Sequence, residues 1–325
     1  MFQTPILLIT FNRPDHTRRV LTEILKKEPQ LLYVCQDGAR EGNDNDILKC
    51  QEVRNLISEL TSVYAEGHQN FTLYTLYQHK NLGCGAGPAD GITWFFENVE
   101  RGIIIEDDCL PHPDFFEYCE ELLIKFNDDV RVGFIGGCNY IPRNTSASYS
   151  FSGGHHQTWG WASWRRTWSN FDYTLQNISP SIFKRILQEY CISWRQKEYW
   201  WAIYELVKYN QMNNSCWDYQ FLFSCWREHQ MAVTPAVNLV SNIGFGAGAT
   251  HTNSYNPLLC NRSYSIMPLV HPHEISLDKN IDYSLLKQYV APYDYGIYNV
   301  FKRGGYFVNR YIKRVLNHKG SWIKI

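Results

Sequence analysis

The chain has 325 residues, of which 44% are hydrophobic and 19% are charged. This composition excludes a disordered or fibrous protein and is sufficient for a large buried core. The formal net charge is -1, so the protein as a whole has no electrostatic attraction to nucleic acid, and no nucleic-acid partner is expected.

The first apolar run lies within MFQTPILLITFNRP and is too short and too poorly flanked for a signal peptide. No other apolar run approaches the roughly 18 residues that a membrane span needs. A cytoplasmic location is therefore expected. The ten cysteines include no CxxC pair and no zinc-ligand spacing, which predicts reduced and mostly buried thiols.

Strand-like and helix-like segments alternate through the first third of the chain. The strand-like segments are PILLITF, LLYVCQDG, FTLYTLYQ and GIIIE. The helix-like segments are HTRRVLTEILKK, DILKCQEVRNLISELTSVY and the end of NLGCGAGPADGITWFFENV, whose glycine-rich part at 83–88 reads as a loop. This rhythm predicts an α/β protein with a Rossmann-like, mostly parallel sheet flanked by helices.

Polar residues follow each of the four predicted strands, as NR, QD, QHKNLG and EDD. Ligands of such sheets bind at the carboxyl ends of the strands. The pattern therefore places a ligand site where these four segments meet.

The segment GIIIEDDCLPHPDFFEY, residues 102–118, ends a buried apolar run in Glu106, Asp107 and Asp108. Each carboxylate disfavours ionisation of the next. A hard divalent cation, Mn²⁺ or Mg²⁺, would offset this repulsion, and such ions usually bind phosphates of a substrate as well. The alternative is a solvated acidic turn that caps the helix expected near Pro113.

Beyond about residue 130 the chain is rich in tryptophan. VGFIGGCNY reads as a further strand, and the segment after it reads as a second lobe fused to the same sheet. Its tryptophans, which could stack on sugar rings or form a core seam, are Trp159, Trp161, Trp164 and Trp168, beside His155 and His156.

The segment 102–118 resembles the DxD region of GT-A glycosyltransferases, most closely the N-acetylglucosaminyltransferase I family (glycosyltransferase family 13). In order along the chain, TPILLITFNRPDHTRRVL, LLYVCQDG and SNIGFGAGATHT resemble other segments of that family. The resemblance fades at 142–215 and after 260. It implies a GT-A fold with a Trp-rich lobe on the acceptor side.

The resemblance also implies roles for the residues at the strand ends. Arg13 would contact the diphosphate of the donor, and Asp37 would accept a hydrogen bond from the uracil ring. Glu106 and Asp107 would contact the donor sugar and the ribose, and Asp108 would hold the metal. A guanidinium suits phosphate oxygens, and a carboxylate suits the imide N–H of uracil.

The family places its catalytic base after a tryptophan, and Trp217-Asp218 is the matching pair, so Asp218 is implied as the base. The chain departs from the family pattern at Tyr219 and Gln220. Asp172 or Glu106 are the alternatives for the base, and a helix cap is the structural alternative for Asp218.

His251 follows GFGAGAT and is a candidate ligand of the metal or the diphosphate, or else a hydrogen-bonded surface residue. Residues 1–140 are expected to bind the nucleotide sugar, 141–260 to bind the acceptor and catalyse transfer, and 261–325 to form a basic, aromatic extension. From 296 onward the chain has no acidic residue, so this extension could lie on an anionic membrane surface or pack as an ordinary helix.

The expected function is a metal-dependent, inverting glycosyltransferase that moves a sugar from a UDP-sugar such as UDP-GlcNAc to a hydroxyl of a glycan or glycolipid. A microbial surface glycan such as lipopolysaccharide would suit a cytoplasmic enzyme. Two alternatives remain at this stage, a sugar nucleotidyltransferase and a sugar-binding protein without catalysis.

Overall fold

A computed structural model describes residues 1–141, 145–155, 157–209, 216–244 and 262–287. The chain divides into two compact units, Met1–Asp282 and Tyr283–Ile325, and the sheet and the site belong to the first. The expected division at 140 and 260 stays a prediction. The basic, aromatic segment from 296 onward lies outside the described residues.

The first third of the chain alternates strands and helices, as the sequence predicts. The elements are β1 Ile6–Thr10, α1 Pro14–Leu25, β2 Leu31–Gln36, α2 Asp44–Gly67, β3 Thr72–Tyr77, α3 Gly83–Asn98 and β4 Arg101–Glu106.

Shorter strands and more helices follow. They are β5 Cys109–Pro111, α4 Asp114–Lys125, β6 Val132–Gly136, β7 Tyr149–Ser152, β8 Trp161–Trp164, α5 Arg165–Trp168, α6 Pro180–Tyr190, α7 Trp194–Lys208, α8 Asp218–Arg227, β9 Met231–Pro235, β10 Val240–Asn242 and α9 Lys279–Leu285.

Eight of the strands form one sheet in the order β3-β2-β1-β4-β8-β6-β9-β7. The strands β3, β2, β1 and β4 are parallel neighbours, whereas β8 runs antiparallel to both β4 and β6. The strand β9 is parallel to β6, and β7 at the far edge is antiparallel to β9. The predicted class, α/β with a mostly parallel Rossmann-like sheet flanked by helices, is confirmed.

The central strands are apolar because both faces of the sheet are covered. All five residues of β1 are buried, and Ile103, Ile104 and Ile105 of β4 are fully buried. The edge strand β3 instead contains only exposed and half-buried residues. The run of isoleucines in the sequence is therefore the centre of the core, and the acidic residues begin where β4 leaves it.

The glycine-rich segment at 83–88 was expected to be a loop, and this expectation was wrong, because α3 begins at Gly83 and includes Pro88. Tertiary packing accounts for a helix rich in glycine. A Cβ on Gly91 would lie 2.3 Å from the Cys35 sulfur of β2, and a Cβ on Gly87 would lie 3.2 Å from the Asp37 carboxyl. The glycines let α3 approach β2 more closely than side chains would allow.

The tryptophans at 161, 164 and 168 form a core seam. Their exposed fractions are 0, 2 and 5%, and the Trp161 ring lies 5.7 Å from Trp217 and 4.9 Å from Phe221. Stacking on a sugar is thereby excluded for these three side chains. Trp159 is half-buried, with its ring edge-on to Tyr140.

A second aromatic cluster joins α6, α7 and α8. At its centre the indole of Trp200 lies 5.2 Å from Trp226, and Tyr190 stacks on Trp226 at 4.9 Å. The cluster fixes α8 against its neighbours, and α8 carries Asp218 at its first position.

Within the described residues no helix is long and apolar enough to cross a membrane. The nine cysteines of that part of the chain form no disulfide, and all except Cys84 are buried. The prediction that the cysteines are mostly buried is confirmed for these nine.

The close approach of α3 to β2 predicts that Gly91→Ala destabilises the protein, although alanine favours helices. The new Cβ would meet the Cys35 sulfur, and overpacking of this kind costs roughly 1–3 kcal/mol in the free energy of unfolding. Urea denaturation measures the difference. Adding Cys35→Ala should recover part of the loss.

Gly67→Ala is the matched control, because a Cβ at Gly67 meets nothing within 4 Å. It should be neutral or slightly stabilising. Equal stabilities of the two single variants would show that α3 does not approach β2 as described.

Candidate functional site

The acidic turn lies at the carboxyl end of β4, next to the carboxyl end of β1. Ile9 of β1 pairs with Glu106 of β4 in parallel register, and the Asp107 N–H donates to the Ile9 carbonyl at 2.9 Å. The register thus continues beyond both strands. It brings the second and third carboxylates beside the loop that leads into α1.

Arg13 supplies the counter-charge. It precedes α1, and its Nη1 lies 2.7 Å from Asp108 Oδ2 and 3.8 Å from Asp107 Oδ1. The Phe11 N–H donates to Asp107 Oδ2 at 3.1 Å. Two of the three carboxylates are therefore tied to the same loop, through one guanidinium and one amide.

The alternative explanation, an acidic cap on α4, does not match these contacts. The N-cap of α4 is Pro113, without a side-chain hydrogen bond to the helix. Asp114 instead accepts hydrogen bonds from Ser265 Oγ and from the N–H groups of Ile266 and Met267. The carboxylates at 106–108 face the end of β1, and the helix begins without them.

The ionised forms of Glu106 and Asp107 remain disfavoured despite the charge of Arg13. Burial, followed by the charges of Asp108, Asp107 and Asp218, raises the pKa of Glu106, and Arg13 opposes the rise. Burial and Asp108 likewise raise the pKa of Asp107, with Arg13 and the Phe11 amide opposing. Arg13 therefore offsets the mutual repulsion of the carboxylates only in part.

Asp218 is close enough to Glu106 for its charge to contribute to that raised pKa. It is the first residue of α8, and the N-cap, Trp217, makes no side-chain cap hydrogen bond. Asp218 also lines a small cavity of about 10 Å³ together with Thr158, Trp200 and Tyr219. The fold thus brings a carboxylate from α8 toward the end of β4.

Asp172, the alternative base, is occupied elsewhere. It is buried, accepts hydrogen bonds from the Asn177 N–H at 2.7 Å and from Thr174 Oγ1, and pairs with Arg227 at 4.0 Å. Burial alone would raise the pKa of Asp172, but these donors outweigh it and the pKa is lowered. A carboxylate held this way is a weak base.

A cleft of about 280 Å³ opens at the ends of the four parallel strands. It is lined by four of the predicted residues, namely Arg13, Asp37, Glu106 and Asp107. Asp108 contacts this group through Arg13. Further lining residues include Phe11, Arg40, Asn81, Cys84 and Gly87. Phe11 directly follows β1, Asn81 belongs to the polar segment QHKNLG, and Cys84 and Gly87 belong to the glycine-rich segment at 83–88.

Asp37, at the end of β2, accepts several protein hydrogen bonds. Its Oδ1 accepts from the N–H groups of Gly38 and Leu82 at 2.9 and 2.8 Å, and its Oδ2 accepts from Asn81 Nδ2 and the Gly83 N–H, both at 2.9 Å. Burial raises the pKa of Asp37, and the three backbone donors oppose the rise.

The segment after β10 closes against the acidic turn. The Ile243 N–H donates to the Asp108 carbonyl at 2.8 Å, and a Cβ on Gly244 would lie 2.2 Å from Asp108 Oδ2.

His251, further along, lies outside the described residues, as does His156. His155 is buried, with Nδ1 3.7 Å from Asp282.

His16 is a neighbour that sequence reasoning missed. It lies in the first turn of α1, where burial and Arg13 lower its pKa while Asp108 and the Ile243 carbonyl raise it. The signal was its spacing of three residues from Arg13 on a helix, which places both side chains on the same face.

Within the described part of the chain, no group of three or more His, Cys, Asp or Glu side chains has the arrangement of a metal site. The carboxylate of Asp108 fits a different kind of site, in which a hard cation takes one or two carboxylates and completes its coordination with phosphate oxygens and water.

No protein-family model matches the chain, and no curated protein matches its sequence. Among solved structures it is similar to a mannosyltransferase from Pyrobaculum calidifontis in complex with GDP-Man and Mn²⁺, at 13% identity and a TM-score of 0.36, with 70% of each chain covered.

It is also similar to residues 1–349 of TarS from S. aureus, at 10% identity and a TM-score of 0.33, with 53% of this chain and 50% of that chain covered. For HddC from Yersinia pseudotuberculosis the identity is 9% and the TM-score 0.30, with 53% and 80% covered. The chain thus spans about half the length of the TarS structure. Scores at this level do not place the chain in a family.

Because the folded protein disfavours the ionised form of Glu106, we expect Glu106→Gln to be more stable than wild type at neutral and alkaline pH. Because the folded state raises the pKa of Glu106, folding favours its protonated form, and wild type loses stability as pH rises from the ordinary carboxyl pKa towards the raised one. The variant does not lose stability in this way. Its free energy of unfolding should exceed that of wild type by on the order of 1 kcal/mol above pH 8, and the difference should vanish near pH 4.

Thermal unfolding across this pH range measures the difference. Glu59→Gln, which removes an exposed carboxylate on α2, is the control and should follow wild type. A Glu106→Gln variant that is less stable than wild type at pH 8 would show that the carboxylate stabilises the fold, contrary to this account.

Proposed function

We propose that the protein is a metal-dependent glycosyltransferase that transfers a sugar from a UDP-sugar, such as UDP-GlcNAc, to a hydroxyl of a glycan or glycolipid. One observation carries the proposal: Arg13 is ion-paired with Asp108 at the ends of β1 and β4, beside a cleft that Glu106 and Asp107 line. A cation and an excess of carboxylates at one strand edge suit a diphosphate with its metal.

In this proposal Arg13 and Asp108 lie at the diphosphate end of the cleft. Arg13 would exchange part of its contact with Asp108 for contact with phosphate oxygens, and Asp108 would hold the cation. The bound metal, Mn²⁺ or Mg²⁺, would offset the negative charge that develops on the departing diphosphate. Asp107, held by the Phe11 amide, faces the ribose, and Glu106 faces the donor sugar. His251 stays a candidate for a further ligand.

Asp218 acts as the base in a single displacement. It takes the proton of the acceptor hydroxyl, whose oxygen forms a bond to the anomeric carbon while the bond from that carbon to the diphosphate oxygen breaks. UDP leaves with the bonding electron pair, and Arg13 stabilises its charge. The anomeric configuration of the transferred sugar is inverted. Asp218 is the first residue of α8 and lies close enough to Glu106 at the end of β4 for its charge to raise the pKa of Glu106, which supports a role for Asp218 beside the donor sugar.

The resemblance of residues 102–118 to the N-acetylglucosaminyltransferase I family supports the same proposal, and membership in that family is part of it. Arg13, Asp107 and Asp108 lie together at the ends of β1 and β4, which supports the roles that the resemblance implies for them. A cytoplasmic enzyme of surface-glycan synthesis, with its basic C-terminal segment on the inner face of a membrane, is the setting we propose.

The binding of UDP tests the donor site. Calorimetric titration with Mn²⁺ should show binding that EDTA weakens, and Asp108→Asn should weaken the metal-dependent part by about 10- to 100-fold. Glu59→Gln, at an exposed carboxylate far along the chain, should bind as wild type does. Absence of binding of UDP, GDP and CDP to wild type would sink the proposal.

The base is tested by Asp218→Asn, which keeps the size of the side chain but removes its basicity. We expect kcat to fall by about 10²- to 10⁴-fold while the affinity for UDP stays within about twofold of wild type. The release of UDP from UDP-GlcNAc in the presence of candidate acceptors measures kcat. Calorimetric titration measures the affinity for UDP.

Asp172→Asn is the comparison variant for the alternative base. It should lower thermal stability, because Asp172 accepts several hydrogen bonds, and should leave kcat of the folded fraction nearly unchanged. The opposite pattern, an active Asp218→Asn and an inactive Asp172→Asn, would transfer the role of base to Asp172.

A further inference from the structure

Part of the cleft wall is formed by the junction between the end of β2 and the start of α3. The carboxylate of Asp37 accepts two hydrogen bonds on each oxygen, from the N–H groups of Gly38, Leu82 and Gly83 and from Asn81 Nδ2. Asn81 Nδ2 also donates to the Gly38 carbonyl at 2.8 Å. A carboxylate has about four acceptor positions, so protein donors fill those of Asp37.

Two of these donors are the first amides of α3. Helices leave their first N–H groups without partners inside the helix, and the positive end of the helix dipole favours an anion there. The residue at the N-cap is Leu82, whose side chain cannot accept a hydrogen bond. Asp37 therefore caps α3 from a neighbouring strand, in place of the local cap that the sequence lacks.

The junction is also tightly packed. A Cβ on Gly38 would lie 2.5 Å from the backbone of Lys80, and a Cβ on Gly87 would lie 3.2 Å from the Asp37 carboxyl. The face of α3 that lines the cleft carries Gly83, Gly87 and Gly91. The position of this wall thus depends on the residue that holds the start of the helix.

We propose that Asp37 is a positioning residue that holds the start of α3 against β2 and so sets the width of the nucleotide cleft, rather than the acceptor that reads the imide N–H of uracil. The inference rests on the proposed function for the cleft as a donor site. An imide N–H could reach Asp37 only by displacing a protein donor, and two of those donors begin a helix. Asp37 therefore contributes to the affinity for nucleotides without distinguishing uracil from cytosine.

The first test compares UDP and CDP by calorimetry in wild type and in Asp37→Asn. In the variant one acceptor oxygen becomes an NH₂ group that faces protein N–H donors, which opens the start of α3. We expect the affinities for both nucleotides to fall by a common factor, with their ratio within about twofold of wild type. A selective loss of UDP, or a gain in CDP, would overturn the inference and make Asp37 the reader of the base.

The second test needs no nucleotide. Hydrogen exchange of the Leu82 and Gly83 amides in wild type should be slow and should become much faster in Asp37→Asn, with Asn81→Ala between the two. Unchanged exchange in Asp37→Asn would overturn the inference. If Asp37→Asn does not fold, the same exchange experiment on wild type with UDP gives the answer. Both amides should stay protected when UDP is added. Loss of their protection would show that uracil has displaced them from the Asp37 carboxylate.

The two tests separate this inference from the proposed function. If wild type binds no nucleotide, the donor-site proposal fails, and the role of Asp37 in capping α3 is decided by amide exchange alone. If wild type binds UDP and the ratio test fails, the donor site stands and only the role of Asp37 is wrong.

Discussion

The site depends on one ion pair at the edge of the sheet, between Arg13 and the carboxylates that end β4. The apolar strand β4 carries Glu106, Asp107 and Asp108 out of the core together, and ionisation of each disfavours ionisation of the others. Arg13 at 2.7 Å from Asp108, with the Phe11 amide on Asp107, makes this arrangement possible in the folded protein. It leaves the carboxylate of Glu106 without comparable support, and burial with neighbouring charges raises its pKa. The fold thus accepts a local loss of stability at the end of β4, as functional sites commonly do.

Parallel pairing explains why residues from distant parts of the chain meet here. The strands β3, β2, β1 and β4 run side by side and end at the same edge, so that a loop after each contributes to the cleft. Asp218 lies near Glu106 but does not follow a strand of the sheet. It is on the first turn of α8, and aromatic packing around Trp226 holds the later part of that helix. Aromatic packing therefore holds the helix that carries Asp218 in place.

The sequence predicted the alternating elements well, because apolar runs such as GIIIE and LLYVCQ correspond to strands buried on both faces. It also placed Arg13, Asp37, Glu106 and Asp107 near a common edge, since each follows a strand. It failed for the segment 83–88, because glycine and proline normally disfavour a helix, and the compensating contacts of Gly91 with Cys35 and of the helix start with Asp37 are tertiary. Arg40 was missed for a similar reason. Its place in the cleft depends on which loops meet, and a single sequence does not report that. Tryptophan spacing alone could not separate stacking from packing either, and the burial of Trp161 decided it.

The most direct measurement of the central claim is a crystal structure of the protein with UDP and Mn²⁺. The account predicts that the diphosphate lies between Arg13 and Asp108 in the cleft, with the metal on Asp108 and the Arg13 guanidinium turned towards phosphate oxygens. A nucleotide bound elsewhere, or a diphosphate in the cleft with the Arg13–Asp108 pair intact and no metal on Asp108, would contradict it.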